Sequence, residues 1–329
     1  MQFTKLLLGI LLLGAGCNKS ENTGTDENGQ LKWPEQTPLQ EVSGTATFNL
    51  TADEDFLNAM QDFMPRMPAF PQAKQKELKL TGFVADLRGR PVEGAYIGLR
   101  SAGTVYIAAS AETDGNGYYE MQVPLAGADI YATGYTIDYG AGQAAISLYP
   151  SDGRVALSNP SGGVVKNFVL LSFGLADASK RAAEPWSPRG YYGGSLRFDY
   201  SIYDAMWNPG GLPANAQVEL MLEPVTGTTL YGETKKFAIT KRIGQGNGNF
   251  VINNLPVGAY NITATLKNGR QLTMKYTGPY VSQYPHHGLQ PREATGSGRV
   301  WFTPMSTDYK APNVNQGYWR PVTITLGLP

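Results

Sequence analysis

LTGFVADLRGRPVEGAYIGLR occupies residues 80–100, and its later half places Ile97 and Leu99 on one face of an extended chain. That spacing of two is the period of a half-buried strand, not of a helix. Gly89, Pro91 and Gly94 stand between the apolar stretches. Proline holds φ at about −65°, and a glycine on either side lets the chain turn there. Ala95 then supplies a small side chain where two sheets approach. The stretch reads as strand, turn, strand.

The same grammar continues downstream. AETDGNGYYEMQVP (111–124) sets the turn Asp114-Gly115-Asn116-Gly117 before a strand in which Tyr119, Met121 and Val123 alternate. Asn116-Gly117 predicts a hairpin, because both residues tolerate positive φ. The acidic turn is not a calcium loop, which needs further spaced acids and a closing Glu. YATGY (131–135) and VKNFVL (165–170) follow. In order, these parts resemble the carboxypeptidase regulatory-like domain over residues 78–171. The resemblance implies a small sandwich of transthyretin-like type.

A second strand-rich run begins at Ser195, with Leu196, Phe198, Tyr200 and Ile202 alternating. In QVELMLEP, Val218, Leu220 and Leu222 share a face. NGNFVINNLPVGAYNITATL (247–266) places Phe250 and Ile252 on one strand and Tyr260, Ile262, Ala264 and Leu266 on the next. Alternation puts Val218, Leu220, Ile252 and Ile262 inward, and Glu219, Asn261 and Thr263 outward. Asn268-Gly269 predicts a hairpin whose return arm carries Leu272, Met274 and Tyr276. The run resembles Cna B-type and prealbumin-like sandwiches. Such domains sometimes build a Lys–Asn isopeptide bond. Asn253, Asn254 and Asn261 are present, but SLRFDYSIYD (195–204) lacks the early-strand Lys, so none is expected.

The expected architecture is all-β, two tandem sandwiches joined by a Pro- and Gly-bearing linker at 172–192, the second sandwich filling 193–329. Ahead of them, 45–77 holds a short strand and one helix. Thr51 and Glu54 have capping-box spacing, and Phe56, Leu57, Met60, Phe63 and Met64 recur at helical spacing before Pro65. A helix docked on a neighbouring domain is the expected role of that stripe.

Composition agrees. The 329 residues suffice for two domains on a prior of roughly 100–200 each. Gly (39), Pro (22) and Tyr (19) are abundant, and charged residues are 16%, a profile of short strands and turns. Lys plus Arg equals Asp plus Glu at 27 each, without the basic excess of a nucleic-acid binder. A single Cys excludes an intramolecular disulfide and a cysteine-rich zinc site.

That Cys ends MQFTKLLLGILLLGAGC (1–17). A lysine, an apolar run too short for the roughly 20 residues of a membrane span, and small residues precede it. The stretch resembles a bacterial lipoprotein signal, with Gly14 where such signals usually carry Leu, and implies acylation of Cys17. Asn18, Lys19, Ser20 and Glu21 resemble the surface-export signal of Bacteroidetes lipoproteins, and 18–44 reads as a flexible tether. An outer-membrane, surface-facing location follows from the resemblance, with membrane lipid as the partner of Cys17.

Chemistry is sparse. A metallocarboxypeptidase needs closely spaced His and Glu ligands. Here His286 and His287 are the only histidines, and they are adjacent. No enzyme, metal or cofactor is expected. Loop aromatics are the most suggestive surface feature: Tyr191 and Tyr192 in the linker, Trp207 in AMWNPGG, Tyr318 and Trp319 in QGYWRP. Each either stacks on a sugar ring or plugs a sandwich end. Trp207, before a tight turn, is expected to plug, and Trp319, between Tyr318 and Arg320, to face solvent. The function expected is an extracellular binding module with glycan as first ligand. The alternative is an adaptor docking on an outer-membrane protein.

Replacing Cys17 by Ala should leave both sandwiches folded and move the protein from the membrane pellet to the soluble fraction, or stall its processing. Unchanged membrane association after that substitution would remove the anchor.

Overall fold

The inward positions expected from alternation are the buried ones. Val218, Ile252 and Ile262 are fully buried and Leu220 nearly so, while Asn261 and Thr263 are exposed. In the first run, Tyr119, Met121, Val123, Ile97 and Leu99 are all buried. The computed structural model describes residues 32–124, 127–157 and 160–329. The signal 1–17 with Cys17, and the tether as far as residue 31, lie outside the described residues. The chain divides at Lys32, the one described residue of its first unit, and Trp33–Pro329 forms the other.

Four main sheets build that second unit. Two come from residues 79–170. Lys79–Asp86 pairs with Tyr118–Gln122 and Phe168–Leu170, and Ile107–Glu112, Tyr96–Ser101, Ala128–Tyr139 and Gly142–Ser147 form the facing four strands. The other two are six-stranded. One is ordered Thr45–Leu50, Lys236–Arg242, Gln217–Pro224, Ala259–Leu266, Ser297–Trp301, Gly288–Gln290. Its companion is centred on Val322–Gly327, Gly194–Tyr200 and Gly248–Leu255. The inner faces share one continuous apolar cluster. The architecture is all-β, as its sequence implies.

Both predicted hairpins are corrected. Gly117 N–H donates to Asp114 C=O at 2.8 Å, so the turn forms, yet it carries the chain from one sheet to the other. Asn268-Gly269 does the same: Ala259–Leu266 and Thr273–Thr277 lie in different sheets. The turn residues fix the reversal, and pairing beyond the turn decides the sheet: Ile107–Glu112 joins Tyr96–Ser101, whereas Tyr118–Gln122 joins Lys79–Asp86.

The helix expected within 51–64 is absent. Thr51 N–H does donate to Glu54 Oε2 at 2.6 Å, the local half of a capping box. The carbonyls that would begin a helix are taken by Lys241. Its fully buried ammonium donates to Thr51, Ala52 and Glu54 C=O at 2.7, 3.0 and 2.8 Å. Phe56–Asn58 then pairs parallel with Gly248–Leu255. Thr45–Leu50, the expected short strand, pairs parallel with Lys236–Arg242. This N-terminal stretch therefore completes the second sandwich, across the whole first one.

The α-helix that does form, Ala178–Ala183, lies in the expected linker and is capped by Asp177, whose carboxyl accepts from the Ser179 and Lys180 N–H groups. The linker itself is docked, with Ser172, Phe173, Tyr191 and Tyr192 buried. So is the end of the expected tether. Trp33 packs on Phe70 and Phe83, and Gln36 both donates to and accepts from the Ala69 backbone.

Leu220→Ala should lower stability by about 2–5 kcal/mol, since it empties a core site. Glu219→Ala on the same strand should change it by a few tenths at most. Equal shifts in denaturant midpoint for the two variants would refute the strand phase.

Candidate functional site at the seam of the sandwiches

Among the described residues Ala128–Tyr139 is the longest strand, and it ends against the second sandwich. The reason lies in its last residue. Tyr139 is buried, and its hydroxyl donates to Gly258 C=O at 3.0 Å and accepts from Phe302 N–H at 2.9 Å. Burial raises its pKa far above the tyrosine range, so the phenol keeps its proton. Three aromatic side chains from the second sandwich gather on that ring. Trp301 meets it edge-on at 5.0 Å, His287 stacks at 5.5 Å, and Trp319 lies at 5.1 Å.

Immediately beyond, Gly140 turns the chain with φ of +61°. A Cβ there would stand 3.3 Å from the Trp301 indole, so glycine serves both the turn and the close approach. The turn, the 227–230 loop, the 285–290 segment and Trp301 enclose an open recess of about 540 Å3. Trp301 is half-buried there, Asp138 and His286 are exposed, and Thr228 and Gln290 are half-buried. One aromatic wall with several polar side chains around it is a surface for a hydroxylated ligand.

The two histidines part company, as adjacent residues on an extended chain do. His286 lines the recess, whereas His287 is buried against Tyr139. His287 Nε2 lies 3.3 Å from Tyr139 C=O. A carbonyl only accepts, so Nε2 carries the proton and the buried Nδ1 is an acceptor without a partner. Burial lowers the pKa of this imidazole, which is neutral at pH 7. No cluster of His, Cys, Asp and Glu suited to a metal occurs among the described residues.

The expected loop aromatics are not brought together. Trp319, expected to face solvent, is 1% exposed between Tyr139 and Phe302, and this ends the platform idea at that position. Tyr191 is buried with its hydroxyl on Pro185 C=O, and Tyr192 is buried against Tyr149; neither offers a free face. Tyr318 is half-buried. Trp207, expected to plug, is 83% exposed. Its turn closes on itself instead. Asp204 accepts from the Met206 and Trp207 N–H groups, and Asn208 donates to Ile202 C=O. The sequence singles out His286 only as one of two adjacent histidines, and it does not bring the recess residues together because they come from four distant stretches.

No family model and no curated protein matches the chain. Among solved structures it is similar to the major pilin from Streptococcus pyogenes, 11% identical with a TM-score of 0.19, over 77% of this chain and 98% of the pilin. Two point variants of that pilin match over the same shares, at 10% and 11% identity with TM-scores of 0.19 and 0.18.

Stability should fall with pH below the ordinary histidine value of about 6.5. The unfolded chain takes up a proton there that folded His287 refuses, so stability is complete above that value and declines by up to about 1.4 kcal/mol per pH unit beneath it. His287→Phe should flatten the decline between pH 6.5 and 5. An identical slope in both proteins would remove His287 as its origin.

Proposed function

We propose that this chain is a non-catalytic cell-envelope lipoprotein whose two sandwiches act together as an extracellular binding module for glycan. The observation that carries the reading is the seam recess. The half-exposed Trp301 indole stands beside Asp138, His286, Thr228 and Gln290. An indole face suits the apolar face of a sugar ring, and the side chains around it supply donors and acceptors for hydroxyl groups. The recess is open, as a site for part of a longer polysaccharide has to be. Supporting the anchor are the sequence 1–17 and its single Cys17. Outer-membrane placement, display at the surface and kinship with Bacteroidetes lipoproteins bearing a carboxypeptidase regulatory-like domain belong to the same proposal and rest on the sequence patterns. The resemblance to Cna B-type domains rests there too.

One observation favours a second reading, an adaptor or adhesin docking on an outer-membrane protein. Val105, Tyr106 and Ile107 form a hairpin tip exposed at 85%, 75% and 66%, an apolar projection left uncovered by the described residues. Co-purification of a stoichiometric complex that is lost on replacing these three residues by Ser would favour it.

The glycan reading is tested by affinity electrophoresis of the mature chain through gels containing a panel of polysaccharides. Retardation by at least one is expected, and Asp138→Ala and Trp301→Phe should weaken it by about tenfold with folding unchanged. Asp138 is exposed, so its loss perturbs no core. Free migration of the folded protein through every gel would overturn the reading.

A further inference from the structure

Among the described residues, most sheet edges are guarded. Phe56–Asn58, Gly288–Gln290 and Glu293–Thr295 run for only three residues each. Ile107–Glu112 is bulged against Tyr96–Ser101. On Tyr118–Gln122, Glu120 is ion-paired with Lys76 and Lys79. Gly142–Ser147 is covered where Ala145 N–H donates to Ser306 C=O. Short strands, bulges, charges and covering segments all keep a free edge from pairing with another chain.

Thr45–Leu50 has none of these guards. It is the outermost strand of its six-stranded sheet, and it pairs with Lys236–Arg242 through six consecutive residues without a register shift. Residues 42–52 (VSGTATFNLTA) contain no charged residue and no proline. The ladder fixes the backbone directions. Lys236 N–H donates to Gly44 C=O at 2.8 Å. In parallel pairing, Gly44, Ala46 and Phe48 therefore turn their peptide groups toward Lys236–Arg242, and Thr45, Thr47 and Asn49 turn theirs to the free side. Each of those three presents an unpaired N–H and an unpaired C=O along the edge.

This edge is complementary to itself. When a second copy is laid antiparallel with Thr47 on the two-fold axis, Thr45 faces Asn49 and Thr47 faces Thr47, so the outward residues of both strands exchange N–H and C=O bonds. Between them Phe48 faces Ala46, a large side chain against a small one. A Thr–Thr pair is among the favourable cross-strand pairs. The side chains of Thr45, Thr47 and Asn49 are exposed, and those of Ala46 and Phe48 are half-buried. No like charges meet along the strand. The nearest charged residues in the chain, Glu41 and Asp53, lie outside it.

We propose that two copies of this chain join edge to edge through Thr45–Leu50, antiparallel about Thr47, so that their six-stranded sheets become one. Pairing over six residues makes a small interface, below about 1,200 Å2, the class of weak and reversible complexes. Association in the micromolar range is therefore expected. The contact is independent of the glycan reading and survives its failure.

Sedimentation velocity of the mature chain carrying Cys17→Ala, which removes any clustering by an acyl group, tests it over about 1–200 μM. A concentration-dependent equilibrium between monomer and dimer is expected. Thr47→Lys and Thr47→Glu each place like charges opposite one another on the axis, and each should raise the dissociation constant about tenfold or more. An equimolar mixture of the two variants should restore association. Thr47 is exposed, so melting curves should match that of the parent chain. Should a charged variant fail to fold, Thr47→Pro, which removes an outward N–H at a sheet edge, decides the matter by the same loss of dimer. A parent chain that stays monomeric at the highest concentration would overturn the proposal and leave the edge to a strand of another protein. Undiminished association of folded Thr47→Lys, or a mixture of the charged variants that stays monomeric, would also overturn it.

Discussion

Burying a phenol without hydrogen-bond partners is costly, and Tyr139 finds two on the far side of a seam. Its hydroxyl takes one carbonyl and one N–H from the backbone of the second sandwich. Those groups are themselves buried beside strand ends, Gly258 just before Ala259–Leu266 and Phe302 just after Ser297–Trp301. The pairing is thus mutual, and separating the sandwiches would strand donors and acceptors on both sides. The ring above that hydroxyl is the surface on which His287, Trp301 and Trp319 assemble. The recess exists because this side chain fixes where one sandwich ends against the other.

The seam is reinforced by chain that belongs to neither set of main strands. Residues 306–314 run along the first sandwich, where Ala145 N–H donates to Ser306 C=O, Thr133 N–H to Pro312 C=O and Val314 N–H to Tyr131 C=O. The N-terminal strands reach in the opposite direction, completing the second sandwich from before the first. Each sandwich is therefore closed by segments that lie beyond the other in sequence. A linker alone would permit relative motion of the domains. Crossed segments of this kind oppose it, and keep a recess built from both halves in one geometry.

What the sequence disclosed follows from the range of each interaction. Alternation reports burial on a sheet face, a property every residue of the strand shares, and it identified Val218, Leu220, Ile252 and Ile262 correctly. Turn chemistry reports a reversal within four residues and is silent about which sheet the chain enters next. Thr51 and Glu54 make the contact that a helix start would make, yet a lysine 190 positions away holds the carbonyls. The tryptophans reversed for the same reason. Local context favoured exposure of Trp319, but Tyr139 and Phe302 cover it; a turn was expected to hold the Trp207 indole, but the turn satisfies itself through Asp204 and Asn208. The recess was illegible because 138–141, 227–230, 285–290 and Trp301 meet only after both sandwiches close.

This division also says where recesses have to lie. The inner faces of the sheets are filled by side chains that are almost wholly buried, and period-two sequences leave no room among them. Freedom to present functional groups belongs to the segments that cross, cap or leave the sheets. Two cavities lie there, one against residues 36–42 and 63–69, the other against the turns 138–141 and 227–230. Side chains along those segments can change without disturbing the sheet faces, which is why the recesses of this molecule lie at its crossings and not within its sandwiches.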